Sequence, residues 1–429
     1  MLGFVSLNIC QFVTAANDNI LKQVLIFGVV AGGVWGGVLG EGAQAWASLC
    51  LAVPYVLLSG FAGQFADRFN KRDVCIVVNA SEVAVALLAL VGFWMVNLWI
   101  VLLAMILISI QSTFFTPAKF GILPEIVETG YLSRANGTVN MFTYIAVIFG
   151  SAVGGPIYDA WNPSTAPDPG NTGLPWLPGG VVLLVALVGL VSCWGLPRLK
   201  PRNPGMPIRA KFFKPYLDTW RGIRGSVVAT VIVAWSFFYL IVGGIAILIL
   251  PDYKSLLDIS AGQTSILMVI LGISTGLGDF VAGRVSGLRI RPQLIAVGGI
   301  GTTVMFFVLA VVPLNFVLIA VCLSLTGFLA GFAMVPLQTM TQRFSVVEQR
   351  GQVLGLWNCL SFVGVIIGNF LFLGIKYTGL PSNRVFAACG ILGLVFVALY
   401  FTTWRKTFAR GLQEFGDADD TSDPESTSG

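Results

Sequence analysis

Apolar and polar positions alternate along this chain in long blocks: extended uncharged runs, each closed by a short charged stretch. Twelve runs are long enough to cross a hydrocarbon layer, which takes about 20 apolar residues in helical form. They fall at 3–30, 44–66, 73–96, 98–116, 136–158, 178–197, 226–250, 264–283, 293–312, 316–338, 353–375 and 384–404. The third and fourth are parted only by Asn97, and two spans suit that stretch better than a single helix. The first run carries a polar stripe. Asn8, Gln11, Thr14, Asp18 and Lys22 fall within about 120° of arc on one helix face. A carboxylate at bilayer depth is costly and is kept where it faces a bundle interior or a wet cavity. The pattern therefore predicts an all-α membrane protein whose first helix lines a pathway. A second reading stands beside it: Asp18 and Lys22, at i and i+4, form a structural pair.

Composition removes the soluble alternative. Hydrophobic residues make up 56% of 429 and charged ones 10%, against roughly 25% charged in soluble domains. With no histidine, any proton relay uses carboxylates. The seven cysteines sit singly, without CxxC or metal-type spacing, and read as packing residues. No metal or cofactor is expected. The N-terminus lacks the basic n-region of a cleaved signal peptide. Of the 25 Lys and Arg, 21 fall on one side of the twelve spans, which by the positive-inside rule puts both termini in the cytoplasm. The net charge of +5 is thus a topology signal and no sign of nucleic acid.

The spans group into a bundle at 1–197, a basic cytoplasmic linker at 198–225, a second bundle at 226–405 and an acidic tail at 406–429 that is expected to be disordered. In the linker, Phe213, Leu217 and Trp220 recur at helical spacing with Tyr216 beside them, flanked by Lys211, Lys214, Arg221 and Arg224. This describes an amphipathic helix on an anionic leaflet; an irregular solvated linker is the alternative. The stretch 159–177, rich in Pro, Gly, Asn and Ser, reads as an external loop. The halves repeat weakly: Gly63 and Arg68 return as Asp279 and Arg284, and Pro117 returns as Pro336. Gly150 and Gly154 read as a close-packing face.

The most specific local signal is Gly63-Gln64-Phe65-Ala66-Asp67-Arg68-Phe69-Asn70-Lys71-Arg72. It resembles the G-x-x-x-D-R-x-x-[KR]-R loop of the major facilitator superfamily. Gly63 permits close helix approach, Asp67 suits the positive end of a neighbouring helix, and the basic residues Arg68, Lys71 and Arg72 anchor the cytoplasmic side. The resemblance implies a gate, with Asp67 held against the start of the eleventh span near Gly351–Val353. The second half has Gly283 where that Asp would stand, so such a latch is asymmetric. Further runs narrow the likeness: Gln11-Phe12-Val13, Asn17-Asp18-Asn19, Thr116 through Glu125 (TPAKFGILPE), Ala135-Asn136-Gly137, Val335-Pro336-Leu337-Gln338 and Arg350 through Leu354. These are similar to the lysophospholipid transporter family and cover most of the chain. The resemblance implies two pseudo-symmetric six-helix bundles of the major facilitator fold, with alternating access. It also implies non-enzymatic uptake of lysophosphatidylethanolamine-type lipids at a bacterial inner membrane, from outer to inner leaflet, for reacylation by a cytoplasmic acyltransferase partner.

A lysophospholipid offers a phosphate, often an amine, and one acyl chain. Lys119 is the phosphate candidate, with snorkelling to headgroups as its alternative. Asp18 and Glu82 are candidates for the amine or a coupling cation. Gln11, Asn17, Gln111, Asn140, Tyr239, Gln338 and Asn358 supply neutral hydrogen bonds to substrate, or else join helices to one another. Two departures from the family leave headgroup preference open: Trp235 to Leu250 carries no basic residue, and Glu82 stands where relatives place a basic side chain. A cation-coupled transporter of other small amphiphiles is the alternative within the same architecture. A membrane scaffold that recruits an acyltransferase through the basic linker is the alternative outside it.

Overall fold

The structure, a computed structural model, describes residues 2–29, 34–36, 38, 43–161, 173–208, 213–259, 261–287 and 289–420. It is all-helical among those residues. The helices are α1 (Leu2–Val29), α2 (Ala43–Arg68), α3 (Lys71–Trp94), α4 (Leu98–Ile126), α5 (Leu132–Trp161), α6 (Leu177–Cys193), α7 (Lys214–Ile223) and α8 (Val227–Tyr239). They continue with α9 (Ala261–Ser286), α10 (Gln293–Val311), α11 (Phe316–Phe344), α12 (Arg350–Lys376), α13 (Val385–Leu399) and α14 (Arg405–Asp420). Each of the twelve apolar runs falls on a helix, and nine helical stretches among the described residues are long and apolar enough to cross a membrane.

Asparagines punctuate the spans. Asn97 Oδ1 accepts from the N–H groups of Trp99 and Ile100, at 3.0 and 3.2 Å, and so caps α4. Val96 before it takes φ 52°, a left-handed conformation that a β-branched residue rarely adopts. Together they end α3 and start α4, separating the two spans. Asn315 caps α11 in the same way through Val317 and Leu318, which adds a structural match to the sequence repeat. Asn70 caps α3 through Arg72 N at 3.0 Å.

The chain forms two compact units, each made of most of one sequence half and a short piece of the other. One comprises Met1–Val127, Phe142–Leu217 and Val347–Cys359; the other comprises Glu128–Met141, Asp218–Val346 and Leu360–Gly429. In the first unit α4 packs on α2 and α3, and α6 packs on α1 and α3. Its aromatic core brings Trp35, Phe93, Tyr158 and Trp161 together, with Trp161 Nε1 donating to Phe93 O at 3.2 Å. Gly150 lets α5 approach the backbone of α1 at Ala16, as a small-residue face should. In the second unit α11 packs on α8, α9 and α10, and α13 lies on α10. Phe306 stacks on Phe386 at its centre.

Several elements differ from expectation. α4 and α11 run on to Ile126 and Phe344 through Pro117, Pro124 and Pro336. The TPAKFGILPE signature therefore lies inside α4. At 29 residues each, these helices reach about 43 Å, longer than the hydrocarbon thickness. α8 passes into a π-helical stretch at Leu240–Ala246, where Gly243 and Gly244 widen the turn. Asn369, its amide oriented to suit its neighbours, donates to Gly244 O at 2.9 Å. The tail expected to be disordered is helical through Asp420: Phe408 is fully buried beside Tyr400, and Gly411 sits against Val227. These apolar anchors outweigh the acidic composition beyond them. α5 extends to Trp161 into the expected loop, and 162–172, Lys211 and the tail residues 421–429 lie outside the described residues.

Candidate functional site

The first unit gathers the polar stripe of α1 against α3 and α4. Glu82 is fully buried on α3. Its Oε1 accepts from Asn17 Nδ2 at 2.7 Å, and its Oε2 accepts from Gln111 Nε2 at 3.0 Å and Thr14 Oγ1 at 3.5 Å. A carboxylate without water is tolerable only when its lone pairs are filled, and here neutral donors from α1 and α4 fill them. Half-buried Asp18 lies beside this group. The Ser112 hydroxyl stands 2.7 Å from Asp18 Oδ2 and 3.1 Å from Gln111 Oε1, donating to one at a time. Asp18 is repelled by Glu82 and attracted by Lys22 and Lys119. No ion pair joins Asp18 to Lys22 among the described residues, so the simple i, i+4 pair is not what holds it.

Lys119 is buried, and its Nζ lies 4.2 Å from the centroid of Phe120 and 5.8 Å from that of Phe115. The ring faces cradle the ammonium. A snorkelling lysine would extend to the surface; this one is folded inward. Gln11 Nε2 donates to Thr143 Oγ1 at 3.0 Å, and Asn358 Nδ2 donates to Ser59 Oγ at 3.0 Å. Thus Gln11, Asn17, Asp18, Glu82, Gln111, Lys119 and Asn358 belong to the first unit.

Asn140, Tyr239 and Gln338 belong to the second. Asn140 Nδ2 donates to Gln338 Oε1 at 2.9 Å, and Gln338 Nε2 donates to Asn136 Oδ1 at 3.1 Å. Asn136 Nδ2 in turn reaches Gln342 Oε1 at 2.7 Å and Thr339 Oγ1 at 3.0 Å. This amide ladder joins the start of α5 to one face of α11. It engages Asn140 and Gln338 with each other, the helix-joining use of such residues. Tyr239 stacks on Trp235, whose Nε1 donates to Ser361 Oγ at 2.8 Å.

The loop motif forms a latch within the first unit. Asp67, fully buried, accepts from Gly351 N at Oδ1 (2.6 Å) and from Gln352 N at Oδ2 (2.9 Å). These are the first free amides of α12, where the helix dipole favours an anion. A Cβ on Gly63 would run into the Gly351 carbonyl oxygen, so glycine is what lets α2 meet α12. Arg68 lies over the Phe69 ring and Arg72 donates to Trp194 O at 3.1 Å. Lys71 is no surface anchor: it is buried and paired with Glu125 at 2.7 Å. In the second unit the equivalent approach is made by Gly137 and Gly283, at the backbone of Asp279 and Ser133 respectively.

Beside the polar group, α2, α3 and α4 form a half-open apolar cavity of about 600 Å³ in the first unit, lined by Phe65, Val74, Val78, Val85, Ile110, Gln111 and Phe114, with Phe69, Asp73, Val77 and Ser81 at its exposed edge. Gln111 is the polar residue it shares with the Glu82 group.

The model of the major facilitator superfamily matches residues 7–369 and 236–418. The chain belongs to the major facilitator superfamily. This member is 28% identical over 352 residues to the lysophospholipid transporter of Yersinia enterocolitica, covering 79% of this chain and 78% of the relative. It is 26% identical over 421 residues to that of an Enterobacter species, covering 94% and 95%. The human organic anion transporter MFSD10 superposes with TM-score 0.73 at 13% identity, over 93% of this chain and 98% of that one. The proton:xylose symporter XylE gives 0.66 at 13%, over 94% and 96%. At such identity the solved structures speak for the fold.

Residues absent from the sequence-derived site also take part. Thr14 was on the stripe without a role, and Ser112 had no marker beyond its place next to Gln111. Glu125 ends the signature and pairs with both Lys71 and Arg202. Cys10 and Cys193, single in sequence, place their sulfurs 3.2 Å apart with Asn79 alongside, as free thiols.

Proposed function

We propose that the protein moves lysophospholipids of the lysophosphatidylethanolamine kind across a bacterial inner membrane by alternating access, from outer to inner leaflet, for reacylation by a cytoplasmic acyltransferase. The chemistry is transport without covalent change. The observation that carries this reading is the junction at Gln111. One side chain joins a hydrogen-bonded group containing two carboxylates to a cavity that is almost wholly apolar, and buried Lys119 lies about two turns farther along the same helix. A single-chain amphiphile has that same division. Lys119 is assigned to the phosphate, Asp18 to the headgroup amine, and the cavity to the acyl chain. The Asp67 latch is assigned to closing the cytoplasmic side, an orientation supported by the Lys and Arg bias. The relatives named above are called lysophospholipid transporters, which agrees with this assignment.

The test is a fluorescent lysophosphatidylethanolamine in liposomes, with and without the protein. Protein-dependent transfer between leaflets is expected, lost in both Asp18→Asn and Lys119→Ala at normal folded yield. Equal transfer with and without protein rejects the proposal. One observation favours a second reading: Asp18 and Glu82 are linked through the side chains of Ser112 and Gln111, two carboxylates in one group, an arrangement suited to binding a coupling cation. Flux of small amphiphiles driven by an imposed proton or sodium gradient would favour it.

A further inference from the structure

The linker between the halves is tied to the latch and its surroundings through Arg202, Asn203, Met206 and Tyr216. Asn203 N donates to Asp67 O at 3.0 Å, and Arg202 pairs with Glu125 at 3.1 Å. Gln352 Nε2, next to the amide that Asp67 holds, donates to Met206 Sδ at 3.2 Å. Farther on, Tyr216 of α7 donates its hydroxyl to Val56 O at 2.8 Å, and its ring fills the notch left by Gly60 on α2. Cys359 of α12 donates to the same Val56 carbonyl at 3.4 Å. The linker thus touches both partners of the latch, α2 and α12, from two places.

The opposite side of α7 is open. Phe213 and Leu217 are 63% and 53% exposed, and the exposed Lys214, Arg221 and Arg224 lie along the same side, at i, i+7 and i+10. α8 begins at Val227, three residues after Arg224, so this stripe lies where a spanning helix enters the membrane. Two large apolar groups among three cations, at that depth, match an anionic lipid surface. We propose that α7 is a lipid-bound clamp: contact with anionic headgroups holds α7 in place, and Tyr216 with residues 202–206 passes that hold to the Asp67 latch. The occupant of the stripe is the anionic leaflet. The clamp adds a regulation of opening to the transport cycle and does not depend on what is carried.

Hydrogen exchange tests it without any substrate. The full-length protein is placed in nanodiscs of phosphatidylcholine alone or with phosphatidylglycerol, and exchange is read at Gly351 and Gln352, with core amides of α6 as reference. Exchange at the latch should slow at least about fivefold in the anionic discs, the factor that one basic side chain at an anionic surface is worth. Lys214→Gln with Arg221→Gln and Arg224→Gln should remove the lipid dependence. Tyr216→Phe, which keeps the ring in its notch and the charged stripe intact, should leave α7 bound yet weaken the slowing. Equal exchange in both lipids overturns the proposal, as does a lipid dependence that survives the triple substitution. In that case the stripe is left to a protein partner.

Discussion

Removing the Asp67 carboxylate gives the most informative perturbation. Its two oxygens hold the amides of Gly351 and Gln352 at 2.6 and 2.9 Å in a fully buried position. Hydrogen bonds to a charged group are worth about 1.5–3 kcal/mol each, so Asp67→Ala forfeits about 3 kcal/mol or more if both amides stay dry. Water entering the vacated space restores part, leaving about 1.5 kcal/mol as a floor. Each 1.4 kcal/mol is a factor of ten, so opening at the start of α12 should become roughly 10-fold more frequent at that floor and about 150-fold or more with both amides dry. Asp67→Asn keeps one acceptor and turns an NH₂ towards the other amide, so it belongs near the lower end. Exchange at Gly351 and Gln352 reads this directly in detergent-solubilised protein, again referenced to α6. A change below about threefold in Asp67→Ala would show that the carboxylate does not hold the helix start, and the latch would have to rest on glycine packing alone.

Other consequences follow from named contacts. Gly63→Ala and Gly137→Ala each push a methyl into backbone carbonyl oxygen, of Gly351 and Asp279 respectively; each should cost about 1–3 kcal/mol, seen as a lower thermal midpoint. A midpoint equal to wild type in either would refute that contact. Asn136→Ala removes a hub bonded to Gln338, Thr339 and Gln342 and should cost about 3 kcal/mol, at roughly 1 kcal/mol for each of the three bonds lost. Val78→Trp fills part of the apolar cavity, so transfer of long-chain lysolipids should fall more than that of short-chain ones; equal loss across chain lengths would detach the cavity from the substrate.

Much of the fold was legible because bilayer crossing imposes a length and a polarity that few other constraints disturb. Asn97 was the one doubtful boundary, and its cap explains why so slight a sequence break parts two helices. The π-helical stretch after Tyr239 was not legible, because a glycine pair inside an apolar run looks like ordinary small-residue packing. In the tail a single buried ring, Phe408, holds the first helical turns, a contact that the acidic composition beyond it does not announce. The site was half visible. Asp18, Glu82 and Lys119 are costly enough in a span to announce themselves, and Asp67 came with its motif. Asn140 and Gln338 looked identical in sequence to Gln111, yet they bond to each other across two helices. Periodicity places an amide on a face; it says nothing of what stands opposite.

The central claim is that one amphiphile lies with its polar end at Lys119 and Asp18 and its chain along α3 and α4. A lysophosphatidylethanolamine carrying a photoreactive diazirine near the chain terminus tests this by mass spectrometry of the labelled peptides. The account predicts adducts on Val74, Val78, Ile110 and Phe114, competed away by unlabelled lysolipid and lost in Lys119→Ala. Adducts confined to exposed positions away from that lining, such as Leu184 on α6, indifferent to competitor and to Lys119, would contradict it.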